Sequence, residues 1–261
     1  MNEQYALELI RSVAENQNKT FLWLENAQLT SLPSLPNHIR TLQVSKCKNI
    51  TEIPELPPNL KSFCCNGTPL KTLPSLPRSL DILNCAGTEI EYLPELPSSL
   101  GLLNVYNSKV ATLPALPESL GQLCCGQTSI TEFPPLPRGL RAFDCSETRI
   151  TKLPALPANL EHLEISKTPL CELPDHFPES LETLYAFEML IPEYDIEEET
   201  PNEYVARVKK FQRFIVGMKL ELERKRITGR CKSVKEELMA ATWHPDRVLD
   251  WCDPNAFDYE D

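Results

Sequence analysis

The chain has 261 residues, with 26 lysines and arginines against 37 aspartates and glutamates, for a net charge of −11. Residues 1–20 contribute −1, residues 21–187 contribute −5 and residues 188–261 contribute −5, so neither main part is a basic nucleic-acid domain. The length supports one sizeable core, and no stretch is long and apolar enough to be expected to cross a membrane.

Residues 2–16 predict an amphipathic helix with Ala6, Leu9, Ile10 and Val13 on one face. It is expected to cover the first strand, around Phe21 to Leu24. A signal peptide is not expected there, because Glu3, Glu8 and Glu15 interrupt the segment and no apolar run exists. With Asn at position 2, a myristoylation signal is not expected either.

Next comes a ruler. Leu32-Pro33, Ile53-Pro54, Leu73-Pro74, Leu93-Pro94, Leu113-Pro114, Phe133-Pro134, Leu153-Pro154 and Leu173-Pro174 follow one another by 21 residues once and then by 20 each time. A fixed period of this length, with leucine at repeating offsets, is the signature of a leucine-rich repeat solenoid. In the repeat LPSLPRSLDILNCAGTEIEY, the segment Leu80-x-x-Leu83-x-Cys85-x-x-Thr88-x-Ile90 matches L-x-x-L-x-L-x-x-N-x-L, with Cys in the third apolar slot and Thr in the Asn slot. Apolar alternation around Leu83 and Cys85 predicts a short strand with one buried face. Copies of it should pair in parallel. The Leu-Pro-x-Leu-Pro half cannot be a helix interior, since its prolines remove donors and fix φ, so the convex side should be extended and polyproline-like. The fold class expected is therefore α/β: a parallel concave sheet, an extended convex side and a helical cap at each end.

The Thr slot holds Thr68, Thr88, Ser108, Thr128, Thr148 and Thr168. Their hydroxyls are expected to satisfy backbone groups in the turn after each strand.

The register sorts the ten cysteines. Cys65, Cys85, Cys125 and Cys145 share the slot that Val105 and Ile165 fill elsewhere, so each should act as a small buried hydrophobe. Cys64 and Cys124 should face the concave side, three repeats apart, about 14 Å by strand spacing, which is too far for a disulfide. Free thiols are expected, and His38, His162, His176 and His244 complete no zinc set with them.

The same register predicts the concave surface. Ser62, Ile82, Leu102, Gln122, Ala142 and His162 form one column. Cys64, Asn84, Asn104, Cys124, Asp144 and Glu164 form the next, and Asn66, Ala86, Tyr106, Gly126, Ser146 and Ser166 the third. Ile82, Leu102 and Tyr106 give the face an apolar middle, while Asp144, Glu147, His162 and Glu164 make its C-terminal end polar and acidic. Exposed apolar residues grouped on a solenoid's inner face point to protein binding. The candidate protein-binding residues are Ile82, Asn84, Leu102, Asn104, Tyr106, Gln122, Asp144, His162 and Glu164. Asp144 and His162 are expected to share a surface hydrogen bond rather than act as a catalytic pair.

After Leu173 the repeat decays. Leu181 and Leu184 predict a last, irregular strand before Phe187. An acidic stretch from Glu188 to Thr200 follows, then Thr200-Pro201 as a helix start. Helices are predicted over 201–227, 233–243 and, shorter, 245–251. The first is locally basic, with Arg207, Lys209, Lys210, Arg213, Lys219, Arg224, Lys225 and Arg226. The organisation expected is thus a capping helix at 1–20, a solenoid at 21–187, and an acidic linker with a helical cap or tail at 188–261.

The repeats resemble the short LPxLP leucine-rich repeats of secreted bacterial effectors that act inside host cells, departing from them in Thr for Asn and Cys for the third leucine. Glu236 to Cys252 (EELMAATWHPDRVLDWC) resembles the C-terminal tails of proteins from giant DNA viruses of amoebae. Both resemblances imply work in the cytoplasm of a eukaryotic host cell. Some LPxLP effectors carry a C-terminal ubiquitin-ligase domain with a catalytic Cys-x-Asp. Here only 74 residues follow Phe187, and Cys252-Asp253 lacks the spacer, so intrinsic ligase activity is not expected.

No glycine-rich phosphate loop and no nucleophile–base spacing occurs, and neither enzymatic activity, cofactor nor metal is expected. The function expected is a protein-binding scaffold, monomeric or weakly oligomeric, whose partner is a protein, a host protein in this reading, with no membrane involved. Two alternatives stand beside it: a substrate receptor that recruits a host ubiquitin ligase through its tail, and nucleic-acid binding through the basic 202–227 helix, which steep salt dependence would reveal.

Overall fold

A computed structural model describes residues 2–170, 173–187 and 200–210. The chain divides into two compact units, Met1–Met189 and Leu190–Asp261.

The first unit opens with helix α1 (Glu3–Glu15). Asn2 caps it, its side-chain oxygen accepting the Tyr5 N–H at 2.9 Å, which satisfies one of the donors a helix start leaves free. Ala6, Ile10 and Val13 are buried, with Leu9 at the margin. The helix packs on the first strand.

Nine strands of three residues follow: β1 (Phe21–Trp23), β2 (Thr41–Gln43), β3 (Ser62–Cys64), β4 (Ile82–Asn84), β5 (Leu102–Asn104), β6 (Gln122–Cys124), β7 (Ala142–Asp144), β8 (His162–Glu164) and β9 (Thr183–Tyr185). They form one parallel sheet in chain order, in unbroken register. Every central residue is buried and its neighbours are partly or fully exposed. This is the alternation the sequence predicts. The expected leucine-rich repeat solenoid with a parallel sheet is the observed fold.

Three residues are few for a strand, but the ladder runs further. The third-slot N–H bonds forward to the next rung, as from Cys65 to the Asn84 carbonyl (2.8 Å) and from Cys85 to that of Asn104 (2.9 Å). Two residues later another N–H does the same, as from Gly87 to Tyr106 (2.8 Å). That residue bends into the left-handed region in eight rungs: Asn26, Lys46, Gly67, Gly87, Asn107, Gln127, Glu147 and Lys167, with φ between 51° and 67°. The bend turns the chain out of the sheet and aims the next hydroxyl back. Thr68, Thr88, Ser108, Thr128, Thr148 and Thr168 each donate to the carbonyl three residues earlier, at 2.6–2.8 Å. The structural role expected of that slot is the one it plays. Cys47 occupies the same slot in the second rung, its Sγ donating to the Leu24 carbonyl.

Among the described residues the convex half carries neither helix nor strand. Its second proline accepts an N–H from the leucine three residues on, as Pro77 does from Leu80 (3.0 Å) and Pro97 from Leu100 (3.0 Å). Inside that turn a serine reaches back one rung: Ser79 donates to Pro58 and Leu60 carbonyls, Ser99 to Arg78 and Leu80, Ser180 to Ala158 and Leu160. The core between the two halves is stacked from identical slots. Leu80, Leu83, Cys85 and Ile90 are each fully buried, as are Leu100, Leu103, Val105 and Val110. Each such leucine contributes roughly 1.5–3 kcal/mol relative to exposure. Phe133, in place of a leucine, meets Phe143 edge-on at 5.0 Å.

In the second unit, residues 201–210 are helical. Thr200 and Glu203 form a capping box: the Thr200 N–H and hydroxyl both donate to Glu203 Oε2 at 2.8 Å, and the Glu203 N–H points back at the Thr200 hydroxyl at 3.4 Å. Those bonds hold the Glu203 carboxyl below its ordinary range. Tyr204, Val205 and Val208 are buried. The predicted helical stretches 211–227, 233–243 and 245–251, and the resemblance over Glu236 to Cys252, lie outside the described residues.

Candidate binding surface

The solvent-facing residues of the nine strands, with the residue two places beyond each strand's end, make three columns along the concave side. Ile82 stands in register with Leu102, and Asn84 with Asn104. Both apolar side chains and that of Tyr106 are partly exposed. Gln122 and His162 are exposed, and Asp144 and Glu164 are partly exposed side by side on β7 and β8.

Several of the polar candidates also serve the fold. Asn84 Oδ1 accepts the Ala86 N–H at 3.2 Å, and Asn104 Oδ1 accepts that of Tyr106 at 3.0 Å. The Asp144 carboxylate accepts both the N–H (2.9 Å) and the hydroxyl (2.6 Å) of Ser146. The hydrogen bond expected between Asp144 and His162 is therefore not formed. The register explains this: His162 lies opposite Ala142, whereas Glu164 is the residue beside Asp144. These turns anchor one oxygen of each residue and leave the rest of the side chain toward solvent.

Glu147 sits in the left-handed bend rather than on a strand. It accepts from the Gln127 amide at 3.1 Å and lies 3.7 Å from the Lys167 ammonium. Burial, then the Asp144 and Glu147 charges, push the Glu164 carboxyl up from its ordinary value. Burial, then Glu147, Asp144 and Glu164, push the Tyr106 phenol up as well.

Sequence reasoning missed both ends of the face. On β1 the helix α1 leaves Phe21 and Trp23 exposed, rings 5.6 Å apart, although Leu22 and Leu24 beside them are buried as expected. On β9 and just beyond, Tyr185 and Phe187 are exposed, 6.1 Å apart. The signal was present: all four residues occupy the concave columns once the register is extended to the irregular first and last rungs.

The seven described cysteines are free thiols. Cys65, Cys85, Cys125 and Cys145 are buried, and burial drives their pKa values up, that of Cys85 to about 12. Cys64 and Cys124 are partly exposed and are also raised, by desolvation first. Such thiols are poor nucleophiles. Among the described residues no three His, Cys, Asp or Glu side chains converge as metal ligands, and no helix is long and apolar enough to cross a membrane.

No protein-family model matches the chain, and no curated protein does. Among solved structures it is similar to YopM from Yersinia enterocolitica WA-314, at 28% identity over 73% of this chain with a TM-score of 0.35. The match spans 61% of the YopM chain. It is similar to the leucine-rich repeat protein FLRT2, solved in an octameric complex with Latrophilin 3 and Unc5D, at 17% identity over 72% of this chain and 68% of that one, with a TM-score of 0.54. The functional domain of InlJ from Listeria monocytogenes, described as including a cysteine ladder, is 24% identical over 70% of this chain and 42% of its own length, with a TM-score of 0.62. What the FLRT2 and InlJ likenesses establish is the architecture: the chain has the fold of a leucine-rich repeat solenoid.

Proposed function

We propose that the solenoid, residues 21–187, is a protein-binding scaffold that takes its partner on the concave face inside a eukaryotic host cell. One observation carries the binding reading: Ile82 and Leu102 stand in register and Tyr106 follows on the same rung as Leu102, all three partly exposed on the solvent-facing side of the sheet. Large apolar side chains held outward on a rigid sheet contribute little to the core and much to a desolvated contact. The aromatic pairs at either end of the face lengthen the available surface. The host-cell part rests on the LPxLP and tail resemblances alone.

The test is affinity capture from eukaryotic-cell extract with quantitative mass spectrometry, comparing the wild type with a folded Leu102→Glu, Tyr106→Glu variant. Loss of at least one retained protein is the expected outcome, and identical captures overturn the concave reading. Recruitment of a ubiquitin ligase through 188–261 and nucleic-acid binding through 202–227 rest on segments of which only 200–210 are described.

A further inference from the structure

The three concave columns contain no lysine and no arginine on any of the nine rungs, and their carboxylates are Glu25, Asp144 and Glu164. Cations do flank the face, and four of them are engaged by carboxylates: Lys46 with Glu25 (2.9 Å), Lys109 with Glu89 (3.5 Å), Arg141 with Glu161 (3.0 Å) and Lys167 with Glu147 (3.7 Å). Asp144 and Glu164 stand in register with no ion pair to either among the described residues. Like charges directly opposite on a sheet are destabilising, and burial first, then the Asp144 charge, push the Glu164 carboxyl up.

The surface around the pair suits a cation. Tyr185 is the register partner of Glu164 and is exposed, which puts an aromatic residue on the neighbouring strand. On the other side, Gly126, Ser146 and Ser166 continue the Tyr106 column with small residues, all three buried.

We propose that this face binds an extended basic segment of the partner protein, with a large apolar side chain on Ile82, Leu102 and Tyr106 and a lysine or arginine at Asp144 and Glu164. The proposal rests on the protein-binding reading above and adds the partner's chemistry. The spacing follows from the sheet. Two to three rungs separate β5 from β7 and β8, roughly 10–14 Å at ~4.8 Å per strand, which an extended chain covers in three to four residues.

A phage-displayed library of random peptides, selected on the full chain at low salt, tests it. Enriched peptides should carry lysine or arginine three to four residues from a large apolar residue, and should weaken as salt rises. Asp144→Asn, Glu164→Gln, which keeps an acceptor for Ser146, should lower their affinity about tenfold, as loss of a charge-assisted contact does. If enriched peptides show no cation preference, or bind this variant as well as the wild type, yet are lost with Leu102→Glu, Tyr106→Glu, the basic partner is overturned and the binding face stands. If no peptide is enriched, or if binding survives the apolar variant, both readings fail.

Discussion

Gly126 approaches Ser146 so closely that a Cβ at position 126 would stand 2.6 Å from the Ser146 hydroxyl. The hydroxyl is held by Asp144, and the Ser146 carbonyl, which cannot swing away, would be 3.1 Å from the same Cβ. Gly126→Ala is expected to destabilise the fold by about 1–2 kcal/mol, in the range of overpacked sites. Urea unfolding checks this, and adding Ser146→Ala should recover part of the loss.

The threonine slot gives a second prediction. Thr88 is buried and its hydroxyl donates to the Cys85 carbonyl at 2.8 Å. Thr88→Val keeps the shape and removes the donor, so about 1–2 kcal/mol should be lost. Thr88→Ser should retain most of the stability, and equal effects of the two substitutions would contradict the hydrogen-bond role.

Backbone strain in the bends can be read from two substitutions of opposite sign. Gly87 has φ 64°, and a Cβ there would make only ordinary contacts, so Gly87→Ala isolates the left-handed penalty, about 1 kcal/mol. Gln127 holds φ 55° with a side chain that favours other conformations. Gln127→Gly should raise the unfolding midpoint by relieving roughly 0.5–1 kcal/mol, despite the greater freedom of glycine in the unfolded chain.

Alkali should unfold the protein through its cysteines. The Cys85 thiol titrates near 9.0 when unfolded and at about 12 when folded. Its folded value is raised, so the contribution to stability is complete below pH 9 and is lost as pH rises from 9 through 12. The slope reaches about 1.4 kcal/mol per pH unit for each such thiol. Cys85→Val, the residue type already present at 105, should flatten this pH dependence. Among the described cysteines in the native state at pH 8, a thiol reagent should modify the partly exposed Cys64 and Cys124 first and leave Cys85 unmodified until the chain unfolds.

The regular rungs were legible because one slot pattern dictates them. Proline, leucine, strand and hydroxyl recur at fixed offsets, and each is forced by local chemistry, from missing donors to alternating burial. The concave columns followed by counting. Less visible were the relations between rungs. Nothing in the spacing shows that Ser79 reaches back to Pro58 and Leu60, because that bond depends on how two convex turns nest. Asp144 was misread for a related reason: its own turn offered two donors at Ser146, nearer than any partner on the next rung. Phe21, Trp23, Tyr185 and Phe187 escaped notice because the terminal rungs depart from the proline ruler, although their strands keep the register.

The unbroken register makes length a discrete variable in this molecule. The turns from β2 to β3 and from β8 to β9 run 21 residues in the same register, so one residue is absorbed outside the strands, but excision of a larger part of a turn would sever the forward and backward bonds at the seam. Excision of one whole turn re-forms them all. The distance between the Leu102 patch and the Asp144–Glu164 pair can therefore change only in steps of one strand spacing, ~4.8 Å, so the solenoid acts as a ruler with a fixed smallest division.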